Sequence, residues 1–142
     1  MIRKHQEKDL DSIMDIWYKS STIAHPFLKE TFVEKVKIDM KDLYIPGSDT
    51  WVYEENGSIQ GFVSMMGNEV GGLFVRPNQQ SKGIGKLLLK YVEDMNTELE
   101  VEVFDKNTKA KEFYLRYGFS IFEESFHEES GQEVIRLKFN IT

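Results

Sequence analysis

Cysteine is absent from the 142 residues. Its absence excludes disulfides, thiolate metal sites and an acyl-cysteine intermediate, and suits a reducing compartment such as the cytoplasm. Histidine occurs only as His5, His25 and His127, too scattered for a metal cluster, so no metal is expected. No apolar run approaches the ~20 residues that cross a bilayer, so no membrane partner is expected. The first dozen residues carry charges where a secretory leader would be apolar. Positive charge is also in deficit, with 18 Lys and Arg against 24 Asp and Glu and a net charge of −6. An acidic balance disfavours nucleic acid as a partner. With 40% hydrophobic residues, 3 Pro and 10 Gly, what is present reads as one ordinary globular domain over residues 1–142, a monomer or a homodimer.

Hydrophobic spacing organises the chain. A short strand is expected near residues 2–4. Asp9 stands as an N-cap before a helix with Leu10, Ile13, Met14, Ile16 and Trp17 on one face, fading near residues 20–22. A second helix is predicted over about 28–41, with Phe32, Val33, Val36 and Met40 inward and Pro46-Gly47 closing it. The period then changes to two. Strands are expected at 51–53 and 59–65 around an Asn56-Gly57 turn, and at 70–75, where Gly71-Gly72 mark a bulge or a close approach to the backbone. A helix over 84–96, a strand over 99–103, a helix over 108–117 stopped by Gly118, and two strands over 119–126 and 134–141 complete the order. This is an α/β domain on a mixed sheet with antiparallel hairpins and parallel crossovers.

Residues 70–90 hold Arg76, Lys82, Lys86 and Lys90 and no acid, so an acidic chain gathers cations around one glycine loop. Glycines where a strand gives way to a helix leave backbone N–H groups bare, at the positive end of a helix dipole, where a phosphate can approach. The loop lacks the Walker A spacing, and Leu88 stands where a dinucleotide fingerprint needs glycine. An unrelated nucleotide-binding enzyme is the reading these departures disfavour.

Gln80-Ser81-Lys82-Gly83-Ile84-Gly85 resembles the Q/R-x-x-G-x-G/A loop of the GNAT N-acetyltransferases. Asn107 to Phe119 resembles that family's N-x-x-A-x-x-F-Y-x-x-x-G-F block. Both lie in family order, and the element order matches along the whole chain. The resemblance implies a single-domain GNAT-like fold: a mixed, mostly antiparallel twisted sheet of about six to seven strands flanked by about four helices. The His25-Pro26-Phe27-Leu28 segment and the length are similar to small bacterial members, some of which act on protein lysines.

The activity so implied is direct transfer of the acetyl group of acetyl-CoA to a primary amine, on a protein lysine, an N-terminus or a small cationic molecule. The alternative is a CoA-binding sensor without turnover. By resemblance, Ser81, Lys82, Gly83, Ile84, Gly85 and Lys86 grip the diphosphate, and the pantetheine arm pairs along Leu73, Phe74 and Val75. An amide of Phe74 or Val75 would hold the oxyanion. Tyr114 takes the general-acid position, although beside Phe113 it also reads as a core aromatic. Asn107 either contacts pantetheine or caps its helix. Glu69 and His25 are the candidate general bases, with Glu102 behind them, and each also reads as a surface group. The carboxylates Glu123, Glu124, Glu128, Glu129 and Glu133 near the last hairpin either favour a cationic acceptor or form a solvated surface.

Overall fold

A computed structural model describes residues 1–141. The chain runs through β1 (Ile2–Lys4), α1 (Leu10–Ala24), α2 (Glu30–Asp39), a single helical turn α3 (Ile45–Gly47), β2 (Asp49–Glu55), β3 (Ser58–Met66) and β4 (Glu69–Val75). It continues with α4 (Ile84–Glu93), β5 (Glu98–Phe104), α5 (Thr108–Tyr117), β6 (Ser120–His127) and β7 (Gln132–Asn140). The seven strands form one sheet in the order β1-β2-β3-β4-β5-β7-β6, antiparallel everywhere except between β4 and β5. Expected architecture and observed architecture agree.

Two apolar layers hold the sheet. On one face α4 and α5 cover a cluster that includes Val63, Leu88, Leu99, Val101 and Leu137. On the other, α1 and the segment after α2 cover Val52, Ile59 and Phe62 with Ile13, Ile16 and Trp17. Burying each of the larger side chains contributes about 1.5–3 kcal/mol before entropy is counted. Asn56 and Gly57 turn β2 into β3 with φ of 53° and 80°, as a two-residue hairpin requires.

Three local expectations need correction. Asp9 precedes α1 but does not cap it: its carboxylate takes a fork from Arg3 (2.8 and 3.0 Å) and the Gln6 amide at 2.7 Å. The first helix does not fade at 20–22 but runs to Ala24, because Ser20 and Ser21 are buried in it. The second helix is shorter, from Glu30 to Asp39, and widens into a π turn at Met40–Tyr44 in which the Ile45 amide reaches the Met40 carbonyl. Pro46 explains the widening, since it has no N–H for the usual bond and its ring crowds the carbonyl four residues back.

Candidate active site

The site begins where the sheet fails to close. The strands β4 and β5 pair only at Glu69 with Glu100 and Val70 with Val101, then separate as a fork. At the vertex, Gly71 has no partner on β3: the register passes from Ser64–Gly72 to Met65–Val70, which is the bulge the glycine pair foretold. At Gly72 a side chain would meet the Phe74 ring at 3.1 Å, so the missing Cβ lets that ring fold back over the strand.

A cavity of about 370 Å³ fills the fork. Gly71 to Phe74 form one wall and Val101 to Phe104 the other. The end of α1, the face of α2 and the first turns of α5 close it. The Arg76 amide bonds the Gln60 carbonyl, so alternation along β4 puts Phe74 and Gly72 in bonded pairs with β3. The amides of Leu73 and Val75 therefore point into the fork, and the Phe74 amide does not.

At the far end of β4 the chain enters the glycine loop. Ser81 and Gly83 adopt left-handed conformations, with φ of 67° and 89°. The first helical bond of α4 comes from Leu87 to the Gly83 carbonyl, and no side chain caps the helix. The amides of Ile84, Gly85 and Lys86 are thus among the unpaired donors of a helix N-terminus, beneath open space over Gly83. Gln80 braces the turn: its Nε2 donates to the Val75 carbonyl at 3.0 Å, and its Oε1 accepts from Lys109 at 3.1 Å.

The local cations divide differently from the sequence count. Arg76 bonds Asp15 at 2.8 Å and the Ile59 carbonyl, and Lys90 lies against Glu93 and Asp94. Lys82 and Lys86 remain without an ion pair among the described residues, joined by Lys109 from α5. Sequence spacing had no means of finding Lys109, which folding brings to a loop 29 residues away.

Tyr114 lies between the core and the cavity. Its ring packs edge-on against Phe113 and Phe119 at 5.2 and 5.1 Å, which confirms the core reading for the ring. The residue also lines the cavity, and no hydrogen bond to a described residue holds its hydroxyl. Burial raises its pKa well above the ordinary tyrosine value, so the hydroxyl keeps its proton.

Asn107 is the cap of α5: its side-chain oxygen accepts the Ala110 amide at 3.1 Å. Its amide nitrogen lies 3.0 Å from His25 Nε2, and His25 Nδ1 lies 3.1 Å from Ser21 Oγ. Burial lowers the His25 pKa to about 4, so the ring is neutral at pH 7.

Glu69 stands outside the cavity lining, bound to Arg136 at 3.3 Å. Arg136 also meets Glu100 at 3.3 Å and Glu102 at 3.6 Å, one cation among three carboxylates at the fork's vertex. Glu102, one residue past the last paired position, does line the cavity, as do Asp39 and Glu129. The alternation of β5 accounts for this: Leu99, Val101 and Val103 face the α4 and α5 layer, leaving Glu100, Glu102 and Phe104 on the opposite face. Glutamates on one face of a central strand signal a face left open as a cavity rather than packed as core. Of the larger aromatics near the α1–α2 side, Trp17 and Phe32 line the cavity, Phe27 packs against His25, and Trp51 lies elsewhere, beside Tyr91.

Residues 46–121 match the family model described as acetyltransferase (GNAT) domain. The chain is 37% identical over 131 residues to the peptidyl-lysine N-acetyltransferase YiaC of Escherichia coli, covering 92% of this chain and 90% of that protein. It is 26% identical to the peptidyl-lysine N-acetyltransferase YjaB of the same organism, over 92% of this chain and 89% of the other. The solution structure of apo YjaB superposes with a TM-score of 0.87 at 23% identity, covering 100% of this chain and 98% of that one. The PaiA N-acetyltransferase of Thermoplasma acidophilum, solved in complex with coenzyme A, superposes with a TM-score of 0.79 at 19% identity, over 98% of each chain.

Proposed function

The chain belongs to the GNAT acetyltransferase family, and we propose that it acetylates the side-chain amine of lysine in a peptide or protein, with acetyl-CoA as donor. The fork carries this reading: two strands part over a cavity lined by Tyr114, and β4 runs on into a loop of bare amides flanked by lysines. The lysine acceptor is supported by YiaC and YjaB, whose names give that substrate, and by Asp39, Glu102 and Glu129 on the cavity wall. A negative wall draws a cationic side chain from solvent, and the apolar surfaces of Trp17, Phe32 and Val36 suit its methylenes.

In this reading the amides of residues 81–86 bind the diphosphate, with Lys82, Lys86 and Lys109 adding charge. The free amides of Leu73 and Val75 pair with the pantetheine arm as an added strand would. The acceptor enters as an ammonium and first releases one proton to water; its neutral nitrogen then attacks the thioester carbonyl and forms the new C–N bond. The Leu73 amide holds the negative charge that moves onto the carbonyl oxygen, a contact worth roughly 3–4 kcal/mol in such sites. Leu73 displaces the expected Phe74 and Val75 in this role. The Phe74 amide is engaged with β3, and Val75 lies outside the cavity lining.

As the C–S bond breaks, the Tyr114 hydroxyl donates to the charge developing on sulfur and passes its proton there. Glu102 receives the second proton that the acceptor nitrogen loses, and exchange with water restores both groups. Glu69 and Glu102 both face Arg136, but Glu102 lines the cavity and Glu69 does not, and the His25 lone pair is turned toward Asn107.

Mass spectrometry of a lysine peptide incubated with the protein and acetyl-CoA tests the reading. We expect a 42 Da gain on lysine for every CoA released, with kcat about a hundredfold lower in Tyr114→Phe. Tight acetyl-CoA binding with no amine acetylated from a broad panel would replace it with a sensor role.

A further inference from the structure

The junction of α1 with α5 admits one pattern of protons. Asn107 Oδ1 is the acceptor for the Ala110 amide, so the group facing His25 Nε2 is the side-chain NH2, which can only donate. His25 Nε2 must then present its lone pair. The ring's single proton sits on Nδ1, where Ser21 Oγ accepts it. Phe27 and Phe104 pack edge-on against the ring at 5.7 and 5.0 Å and restrict its reorientation. This is the reverse of the Nε2–H form that predominates for histidine in water.

The same helix end is fastened at a second point. Ser20 Oγ donates to the Val75 carbonyl at 2.8 Å, at the end of the β4 arm of the fork. Asn107 lies three residues beyond the end of β5, at the start of the helix that carries Tyr114. The last turns of α1 thus bridge the two arms of the fork, Ser20 on one and His25 on the other.

We propose that His25 is a positioning residue for acetyl transfer: by accepting the Asn107 amide it fixes the separation of the fork's arms and the placement of Tyr114. Its effect on turnover rests on the acetyl-transfer reading above, whereas the proton pattern does not. A histidine in this state is not the general base, because its lone pair is engaged and its other nitrogen carries the proton.

Nitrogen-15 imidazole NMR of the whole protein at pH 7 tests the pattern without activity. One ring should show a protonated Nδ1 and a bare Nε2, and that signal should vanish in His25→Gln. A His25 ring protonated on Nε2 overturns the proposal. Kinetics with a lysine peptide test the consequence. His25→Ala should lose about tenfold in kcat or more, while acetyl-CoA binding changes less than about twofold, since the diphosphate loop lies on α4. His25→Gln, whose Oε1 can accept from Asn107, should recover to within about threefold of the parent. Equal losses in both variants overturn the positioning role and leave acetyl transfer intact. A parent protein that acetylates no amine removes the acetyl-transfer reading, and the NMR result still decides the proton pattern.

Discussion

Acid should weaken this fold through one histidine before it reaches the carboxylates. Burial lowers His25 from an ordinary 6.5 to about 4. The folded protein therefore favours the neutral ring, and as pH falls below 6.5 the unfolded chain takes up the proton first. The stabilisation is complete above 6.5 and is lost as pH falls to about 4. At about 1.4 kcal/mol per pH unit, the loss amounts to about 3 kcal/mol, a large share of the 5–15 kcal/mol that holds a typical domain. Asp9 and Asp15 lie below the ordinary carboxylate value, through Arg3 and Arg76 respectively, so their contributions fall away only at more acid pH. Urea unfolding followed by the fluorescence of Trp17 and Trp51, at intervals from pH 7 to pH 4, measures the slope. His25→Gln keeps an acceptor toward Asn107 but cannot titrate, so its stability should fall by about 3 kcal/mol less than the parent's over this range. Parallel curves for the two proteins would refute the buried neutral histidine.

Tyr114→Phe should cost little stability, because the hydroxyl has no hydrogen-bond partner among the described residues, while kcat falls about a hundredfold; an unchanged kcat measured by CoA release would remove its acid role. Because burial raises Tyr114, kcat should show no alkaline decline from this group up to pH 10, and a falling limb near 9 that Tyr114→Phe abolishes would contradict that. Gly83→Val should lower stability by about 1–2 kcal/mol, since its φ of 89° disfavours a Cβ, and should weaken acetyl-CoA binding by calorimetry. Lys82→Glu with Lys86→Glu should weaken that binding about tenfold at low salt, with the gap to the parent closing as salt rises.

Local chemistry was readable wherever one segment decided the outcome. The Asn56-Gly57 hairpin, the Asn107 cap with Gly118 closing α5, and the Gly71 bulge all follow from residues adjacent in the chain. Partners distant in sequence were not readable. In the sequence Arg76 reads as a cation of the glycine loop, whereas in the fold Asp15, 61 residues earlier, holds it. In the sequence Asn107 suits a ligand or a cap; in the fold it caps its helix while also donating toward a histidine 82 residues away. The direction of the β4 amides is hidden in the sequence for a related reason. Alternation along β4 is visible in the sequence, but which amides face β3 depends on register, and the bulge at the vertex resets that register. Helix lengths failed where tertiary burial outweighed propensity, as at Ser20 and Ser21, and where Pro46 forced a wider turn instead of a stop.

The central claim is that the fork between β4 and β5, with the loop that follows, is the seat of acetyl-CoA. Amide NMR of the nitrogen-15 labelled protein, titrated with acetyl-CoA, tests it most directly. Saturating shifts should fall on Leu73, Val75 and residues 81–86, with the far strands β1 and β2 unmoved. Saturation mapped to any other surface, or no response at millimolar acetyl-CoA, would contradict the account.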